Sequence, residues 1–282
     1  MTLAARLARV PATVIALGLL FAAVAPAAMS SYQPFTLAPG IGPSFRGGAV
    51  FVPTIETQYQ EPLGTVIAEA TVRSFALLAG VAVFSLFVGV LVGITAALLR
   101  RRAVSSGIVL GATSVIAAVP SFFLAYFLQI LFIFIGGATG HTILPVFGFG
   151  LDGHLVLPLL ALSAPAVATT AQLTAVRMGE VFDADFITTA NAKGLLPSWI
   201  IKVHVLPHVL PVSLEAVGSG LRVAVASLPI VEYILLWNGI GFVALQSIAL
   251  RDPAALTACA IVLGALFALT SLLLDLRRTR FH

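Results

Sequence analysis

Residues 75–99 read FALLAGVAVFSLFVGVLVGITAALL, a run of 25 positions without a charged side chain. About 20 consecutive apolar residues in a helix are enough to cross the hydrocarbon core of a bilayer. Apolar side chains also cover most of the surface of such a helix, so no face of it suits contact with water. The run therefore predicts a transmembrane helix.

Five more apolar runs of similar length lie on either side of this one, at residues 10–28, 107–135, 155–176, 206–236 and 253–274. Of the 282 residues, 60% are hydrophobic and 9% are charged, whereas a soluble domain carries about 25% charged residues. So few charges could not cover a water-soluble globule of this size. The sequence therefore predicts an all-α integral membrane protein with six transmembrane helices, whose solvent is the lipid bilayer.

The first part of the chain differs in composition from the rest. Residues 29–73 contain five prolines among polar residues and show no helical period, which favours an extramembrane loop. We interpret residues 1–62 as an N-terminal transmembrane helix with an extracytoplasmic segment, and residues 63–282 as a transmembrane core of five helices. The alternative for the start is a cleaved secretory signal, since two arginines and an apolar run precede the small residues at 25–27.

Basic residues indicate the orientation, because the cytoplasmic flanks of membrane helices collect Lys and Arg. With the N-terminus inside, 11 of the 15 basic residues fall on inner flanks. The remaining four are Arg46, Arg73, Arg222 and Arg251. Both termini and the connection at residues 177–205 are therefore predicted to be cytoplasmic, and the net charge of +4 reflects topology and not an affinity for nucleic acid.

The residue types argue against several classes of enzyme. Neither of the two lysines, Lys193 and Lys202, follows a glycine, so neither belongs to a phosphate-binding Walker loop. Gly218-Ser219-Gly220 is not a nucleophile elbow, and glycines placed in this way more often permit close helix packing. The single cysteine, Cys259, can form no internal disulfide. We expect no enzyme activity in this chain.

The connection between the fourth and fifth predicted spans, residues 181–207, reads VFDADFITTANAKGLLPSWIIKVHVLP. It predicts two short helices. Asp183 or Asp185 can cap the first helix, Gly194 can close it in the left-handed conformation, and Pro197 suits the first turn of the second.

One side of the first of these short helices is expected to carry Phe186, Ala190 and Lys193, which recur at helical spacing. A short, partly apolar helix pair at residues 181–205 suits a docking element for a soluble protein. It also suits a surface helix that lies in the lipid interface. Periodicity alone does not separate these two interpretations.

Residues 185–195, DFITTANAKGL, followed by HVLP at residues 204–207, resemble the cytoplasmic loop signature of type I ABC importer permeases. The match is closer to the dipeptide and oligopeptide branch of that family. Thr188 and Thr189 stand where the general pattern has Glu-Ala, and His204 replaces an isoleucine. The peptide branch itself differs from the general pattern at the positions of Thr188 and His204. These substitutions therefore favour the peptide branch over the rest of the family.

The resemblance extends beyond this loop, over about residues 63–276. VEYILLWNGIGFVAL at residues 231–245 and the later Arg251-Asp252 pair are similar to runs of the same branch, with Asn238 where the family usually has proline. LPVFGFG at residues 144–150 resembles its outer loop before the fourth helix.

The resemblance implies the type I ABC importer permease fold, with both termini cytoplasmic. It implies a permease subunit of an ATP-driven importer of di- or oligopeptides in the bacterial cytoplasmic membrane. The partners would be a second homologous permease, two ABC ATPase subunits and an extracytoplasmic binding protein that delivers the peptide. ATP and Mg²⁺ would be bound by the ATPase subunits, and no cofactor is expected in this chain.

The same resemblance assigns the coupling to the ATPase to six residues: Asp185, Thr189, Ala190, Lys193, Gly194 and Leu195. The small Ala190 is expected to let the helix sit deep in a groove of the ATPase, and Gly194 to fix the angle between the two short helices. One alternative function is a permease for nickel chelates or another small solute. The alternative of a different class is a self-sufficient secondary transporter.

Three ionisable residues fall near or within the fifth predicted span. A charge such as that of Arg222 is costly inside a span unless it meets water or a partner. Glu215 lies about two turns earlier on the same helical face, and Glu232 is another possible partner. These residues either line a translocation path, where Arg222 would meet a peptide carboxylate, or form a structural ion pair that fixes helix packing.

Histidines and prolines complete the candidate residues. His204 and His208 have the i, i+4 spacing of a helical metal pair, but Pro207 lies between them, and we predict a structural role and no metal site. A further group on the outer side is expected to show ordinary loop polarity, with contact to a binding protein or a metal as the alternative: His141, Asp152 and His154. Four prolines inside predicted spans are expected to kink helices around a central passage: Pro120, Pro165, Pro211 and Pro229.

Overall fold

The computed structural model describes residues 44–46, 49–51, 54–101 and 103–278. The predicted first span at residues 10–28 and the alternative of a cleaved signal lie outside the described residues. The strands are β1 (Ser44–Arg46) and β2 (Ala49–Phe51), which pair antiparallel. The helices are α1 (Ile55–Tyr59), α2 (Leu63–Leu98), α3 (Ala103–Ala118), α4 (Ser121–Thr139), α5 (Val156–Phe182), α6 (Asp185–Ala192), α7 (Pro197–Ile200), α8 (Leu206–Leu235), α9 (Ile240–Leu250) and α10 (Pro253–Arg278).

The segment before α2 is more regular than predicted. Thr54 caps the start of α1. Its hydroxyl accepts a hydrogen bond from the Thr57 N–H, while the Thr57 hydroxyl accepts one from the Thr54 N–H at 2.7 Å. This reciprocal capping satisfies two backbone donors and gives the short helix a defined start. α2 then begins at Leu63 directly after Pro62. The prediction of an irregular loop that continues to residue 73 is therefore wrong for these residues.

Within the part of the chain that the structure describes, five helical units are long and apolar enough to cross a membrane. They are Leu63–Leu98, Ser121–Thr139, Gly153–Phe182, Pro197–Leu235 and Pro253–Ser271. Each overlaps one of the five spans predicted after residue 62. The all-α membrane fold is confirmed at this level, although a sixth span would have to come from residues outside the described part.

The predicted span at residues 107–135 is wrong as a single helix. α3 ends at Ala118, and α4 begins at Ser121 after Pro120. Proline lacks the N–H for the intrahelical bond and disfavours a helical conformation in the residue before it. By contrast, Pro165 lies inside α5, and Pro211 and Pro229 lie inside α8, which continue through these positions.

Helix α9 was not predicted from the sequence. It contains 11 residues, which give a helix of about 16 Å, roughly half the thickness of the hydrocarbon core. It packs against α8 and α10. Because α1 also reaches this end of the bundle, where the Tyr59 hydroxyl donates to Gln246 of α9 at 2.8 Å, both short helices cover the same end.

Helices α2, α5 and α8 form the centre of the bundle, with α5 packed between the other two. Small residues let these helices approach closely. A Cβ atom on Gly93 of α2 would lie 2.5 Å from the Cβ of Thr174 on α5. A Cβ atom on Gly220 of α8 would overlap Ala166 of α5. The interpretation of Gly220 as a helix-packing glycine is therefore confirmed.

We expect Gly220→Ala to lower the thermal unfolding midpoint of the detergent-purified chain. The added methyl group has no room beside Ala166, and overpacking of this kind costs about 1–3 kcal/mol. The matched control is Gly111→Ala in α3, where a Cβ meets nothing within 4 Å. Differential scanning fluorimetry of the two variants measures the difference, and equal midpoints would contradict the packing described above.

Candidate functional site

Helices α6 and α7 and the turn between them lie at the end of the bundle where α2 and α5 finish. We call residues 185–200 the platform. Ile187 and Ala190, one helical turn apart on α6, are 4% and 5% exposed. They pack in one cluster with Met178 and Val181 of α5 and with Val209 of α8. Ala97 of α2 belongs to the same cluster, so the platform is seated on all three central helices.

The opposite side of the platform is open to solvent. Thr189 and Lys193 are exposed on or next to α6, and Leu196 and Trp199 are 71% and 53% exposed on the segment that follows. The remaining exposed positions are Asp185, Phe186, Thr188, Asn191, Ala192, Gly194, Pro197 and Ser198. The platform therefore presents a surface that mixes charged, polar and large apolar side chains, as protein interfaces do.

Backbone geometry fixes the turn at the end of α6. Gly194 has a φ of +73°, a conformation that glycine adopts without strain. The Leu195 N–H donates to the Ala190 carbonyl at 3.3 Å, and the Gly194 N–H donates to the Asn191 carbonyl at 2.9 Å. These bonds satisfy carbonyl groups that the helix end would otherwise leave unpaired. The predicted left-handed Gly194 is confirmed.

The predicted cap of α6 is wrong. The residue that precedes the helix is Ala184, and the structure gives no side-chain hydrogen bond at this position. Asp185 lies in the first turn, where a negative charge suits the helix dipole. The Asp183 carboxylate is 2.9 Å from Nη1 of Arg100, beyond the end of α2. Asp183, which the sequence suggested as a cap of α6, therefore forms an ion pair with Arg100 instead.

Two of the six predicted contact residues do not lie on the open side. Ala190 is buried in the cluster beneath α6, and Leu195 is partly buried against the same cluster. The Ala190 side chain packs inside this chain, and its role in letting the helix sit deep in a groove of the ATPase stays a prediction. Of the three residues predicted on one side of α6, Phe186 and Lys193 are exposed and Ala190 is buried.

The second predicted short helix is not separate. Pro197 is at the start of α7, as predicted, but α7 continues through a π-helical turn at Ile201–Val205 directly into α8. The Leu206 N–H donates to the Ile201 carbonyl, five residues earlier. A π-helical turn accommodates a disruption in the helix ladder, and Pro207 at the start of α8 is such a disruption. Movement of the platform would therefore act directly on α8.

At the opposite end of the bundle, Glu232 is completely buried. One carboxyl oxygen accepts a hydrogen bond from the Ser74 hydroxyl of α2 at 2.5 Å. The other accepts from the N–H groups of Gly241 and Phe242, in the first turn of α9, at 2.8 and 3.2 Å. Ser74 in turn accepts the Ile240 N–H at 2.8 Å. Glu232 therefore joins α8, α9 and α2.

This network corrects the role predicted for Glu232. A carboxyl group with no exposed surface and with both oxygens bonded to α2 and α9 does not line a path for a solute. Gly239 and Gly241 belong to the same network, since a Cβ on Gly239 would overlap Glu232 and a Cβ on Gly241 would overlap Pro229. Residues 232–241 therefore connect α8 and α9 to α2. Ser74 of α2 is the partner of Glu232 that the sequence did not indicate.

Asn238 occupies the position where the family usually has proline. Its φ is +47°, which proline cannot adopt because its ring holds φ near −65°. Asparagine is among the residues that tolerate this left-handed conformation. Its carbonyl accepts a hydrogen bond from Nη1 of Arg73 at 3.4 Å. The turn between α8 and α9 therefore has its own geometry in this chain.

Arg222 and Glu215 are partly exposed on α8, about two turns apart. Their joint role, whether as lining of a path or as an ion pair, stays a prediction. The His208 ring lies 5.5 Å from that of Phe186, which places His208 beside the platform. At the other end, Asp152 accepts hydrogen bonds from the side chain and the N–H of His154, and these bonds hold the pKa of that carboxyl below its ordinary value.

The architecture defines a class of protein. Apolar helices that suit a bilayer surround a tightly packed centre, and a seated helix with an open polar and apolar side lies at one end. Such a molecule is a multi-pass membrane protein with a surface suited to a soluble partner.

Comparison with known proteins gives the family. Residues 89–282 match the family described as the inner membrane component of binding-protein-dependent transport systems, so the chain belongs to that family. It is 28% identical over 224 residues to a Brucella abortus protein named as a peptide transport system permease, which covers 78% of this chain and 70% of the relative. It is 29% identical over 214 residues to the Escherichia coli oligopeptide transport system permease protein OppB, which covers 71% of this chain and 65% of that protein.

These findings confirm the resemblance that the signature at residues 185–195 suggested. The chain is a permease component of a transport system and not a catalytic subunit, as its family is defined by this role. The family description also accounts for the apolar helices, since it assigns its members to the inner membrane.

Proposed function

We propose that this chain is a permease subunit of an ATP-driven importer that moves di- or oligopeptides across the bacterial cytoplasmic membrane by alternating access. Peptide as substrate is supported by the names of relatives that match 71–78% of the chain. The observation that carries the proposal is the platform: a short helix seated on α5 and α8 by Ile187 and Ala190, with its other side open.

Two ABC ATPase subunits, which bind ATP and Mg²⁺, dock on the platforms of a permease pair. In this chain the docking surface consists of the exposed residues Asp185, Thr189, Lys193 and Gly194, while Ala190 and Leu195 hold α6 in place beneath it. A soluble partner is favoured over a helix lying in lipid, because an interfacial helix lays its apolar face in the bilayer, whereas Ile187 and Ala190 of α6 are already packed inside this chain.

A second homologous permease and an extracytoplasmic binding protein complete the importer. Large apolar side chains such as Phe127 and Phe134 of α4 are exposed in the isolated chain, which suits contact with lipid or with a second membrane subunit. In the proposed topology six helices cross the membrane with both termini in the cytoplasm. Its support is the excess of Arg and Lys on the side of the platform.

Translocation follows a path beside α8, where the partly exposed Arg222 and Glu215 offer opposite charges to the ends of a zwitterionic peptide. Because α7 continues into α8, closure of the ATPase pair against the platform reaches these residues through one helix. The same helix ends at Glu232, where it is joined to α9 and α2.

The test is uptake of labelled peptides by proteoliposomes that contain this chain, its partner permease, the ATPase subunits and the binding protein. We expect uptake only with all components and with ATP, and none when the ATPase subunits are omitted. Uptake driven by an ion gradient without any ATPase would instead show a secondary transporter. ATP-driven uptake of nickel chelates but not of peptides would keep the mechanism and overturn the substrate.

A further inference from the structure

Arg100 connects α2 to the segment that leads into the platform. It lies in the turn Leu99–Arg101, immediately after α2. Its Nη1 atom is 2.9 Å from the Asp183 carboxylate and donates to the Gly179 carbonyl at 3.3 Å. Its guanidinium group also lies over the ring of Phe182, 5.1 Å from the centroid. One side chain thus contacts two residues in the last turn of α5, Gly179 and Phe182, and also Asp183, which follows the helix.

Arg100 lines a cavity that separates the end of α2 from α6. This cavity of about 260 Å³ is lined by Ala97, Leu98, Arg100, Phe182, Ile187 and Asn191. The two helices therefore leave a gap at this place, although Ala97 of α2 also lies in the buried cluster with Ile187 and Ala190. Because the guanidinium group is already paired with Asp183, the cavity is not a free anion site. Arg100 is the polar link that spans from α2 to the base of the platform.

We propose that Arg100 is a positioning residue that transmits movement of the platform to α2, so that α2 follows α8 when the ATPase subunits close. This inference rests on the proposed function. The platform is continuous with α8 through the π-helical turn, but it has no such covalent continuity with α2. A guanidinium group suits the task because its planar donors fix both distance and orientation, and its face stacks on an aromatic ring.

The pair is suited to transmission and contributes little to stability. The side chains of Arg100 and Asp183 are 37% and 72% exposed, and exposed ion pairs add little to the free energy of unfolding. Loss of the pair should therefore leave the fold intact. What changes is how closely α2 follows the movement of the platform. A transport assay detects this change, and a stability assay does not.

The experiment uses the complete importer in proteoliposomes and measures peptide molecules transported per ATP hydrolysed. We expect Arg100→Gln and Asp183→Asn each to lower this ratio about two- to fivefold, which corresponds to the roughly 0.4–1 kcal/mol that an exposed ion pair contributes, with unchanged basal ATPase and an unchanged unfolding midpoint. Arg100→Lys, which keeps the charge, should lie closer to the wild type.

The matched control is Arg177→Gln. Arg177 pairs with Glu180 at 2.8 Å near the same end of the bundle, but both residues belong to α5, so this pair joins no separate parts. A wild-type ratio in Arg100→Gln and Asp183→Asn, or an equal loss in Arg177→Gln, overturns the inference. A wild-type complex that shows no ATP-driven uptake instead overturns the proposed function.

Discussion

Thr189→Trp is expected to abolish ATP-driven transport while the isolated permease folds normally. Thr189 lies on the exposed side of α6, and its hydroxyl bonds only to the Asp185 carbonyl of the same helix. An indole at this position would keep a docked partner from approaching the helix. We expect the affinity for the ATPase subunits to fall at least about tenfold, which corresponds to about 1.4 kcal/mol of binding free energy. Binding of the purified ATPase subunit to permease in nanodiscs measures this change.

The neighbouring residue supplies the comparison for this prediction. Ala190→Trp should lower the unfolding midpoint as well as ATPase binding, because Ala190 is packed against Met178 and Val181 inside this chain. Thr189→Trp should lower binding alone. Unchanged ATPase binding in Thr189→Trp would contradict docking on the open side of the platform.

Glu232→Ala is expected to destabilise the fold severely. Removal of the carboxyl group leaves the Ser74 hydroxyl and the N–H groups of Gly241 and Phe242 without their acceptor in a buried place. Each buried unsatisfied group costs about 1–3 kcal/mol, so we expect the three groups together to cost at least about 3 kcal/mol. The measurement is the unfolding midpoint of the purified chain in detergent.

The control for this prediction is Glu69→Ala, the same substitution near the same end of the bundle. Glu69 forms an exposed ion pair with Arg73 at 2.7 Å, and pairs of this kind contribute at most about 1 kcal/mol. A fall in midpoint for Glu69→Ala as large as that for Glu232→Ala would show that the buried network does not join the helices. Ser74→Ala, which removes one member of the network, should lie between the two.

Apolar run length was enough to predict most of the helices that are long enough to cross a membrane, because a spanning helix needs little beyond a long uncharged sequence. It failed at Pro120. The apolar sequence continues past this residue, but proline interrupts the helical hydrogen bonds, so α3 and α4 are separate helices. It also missed α9, since a helix of 11 residues is too short to count as a span. Local backbone rules succeeded at Gly194, where the left-handed turn depends only on the residue itself.

Contacts between distant parts of the chain could not be predicted from the sequence. Asp183 had equal chemical reason to cap α6 or to pair with a base, and only the fold brings Arg100 within reach. The burial of Ala190 was not predicted either, since it depends on the α5 and α8 side chains beneath α6. Glu232 looked like a charge within a span, and its real partners are backbone N–H groups nine and ten residues later and a serine on α2.

The most direct test of the account is cross-linking from the platform in the assembled importer. Thr189→Cys labelled with a benzophenone maleimide places a photoreactive group on the open side of α6, and the native Cys259 is buried and should not react. The unlabelled wild type and an Ile187→Cys variant, whose site faces inward, serve as controls. We expect illumination to join position 189 to an ATPase subunit and to leave the controls without this product. Cross-links from position 189 to lipid alone, with the ATPase subunits present and active, would contradict this expectation.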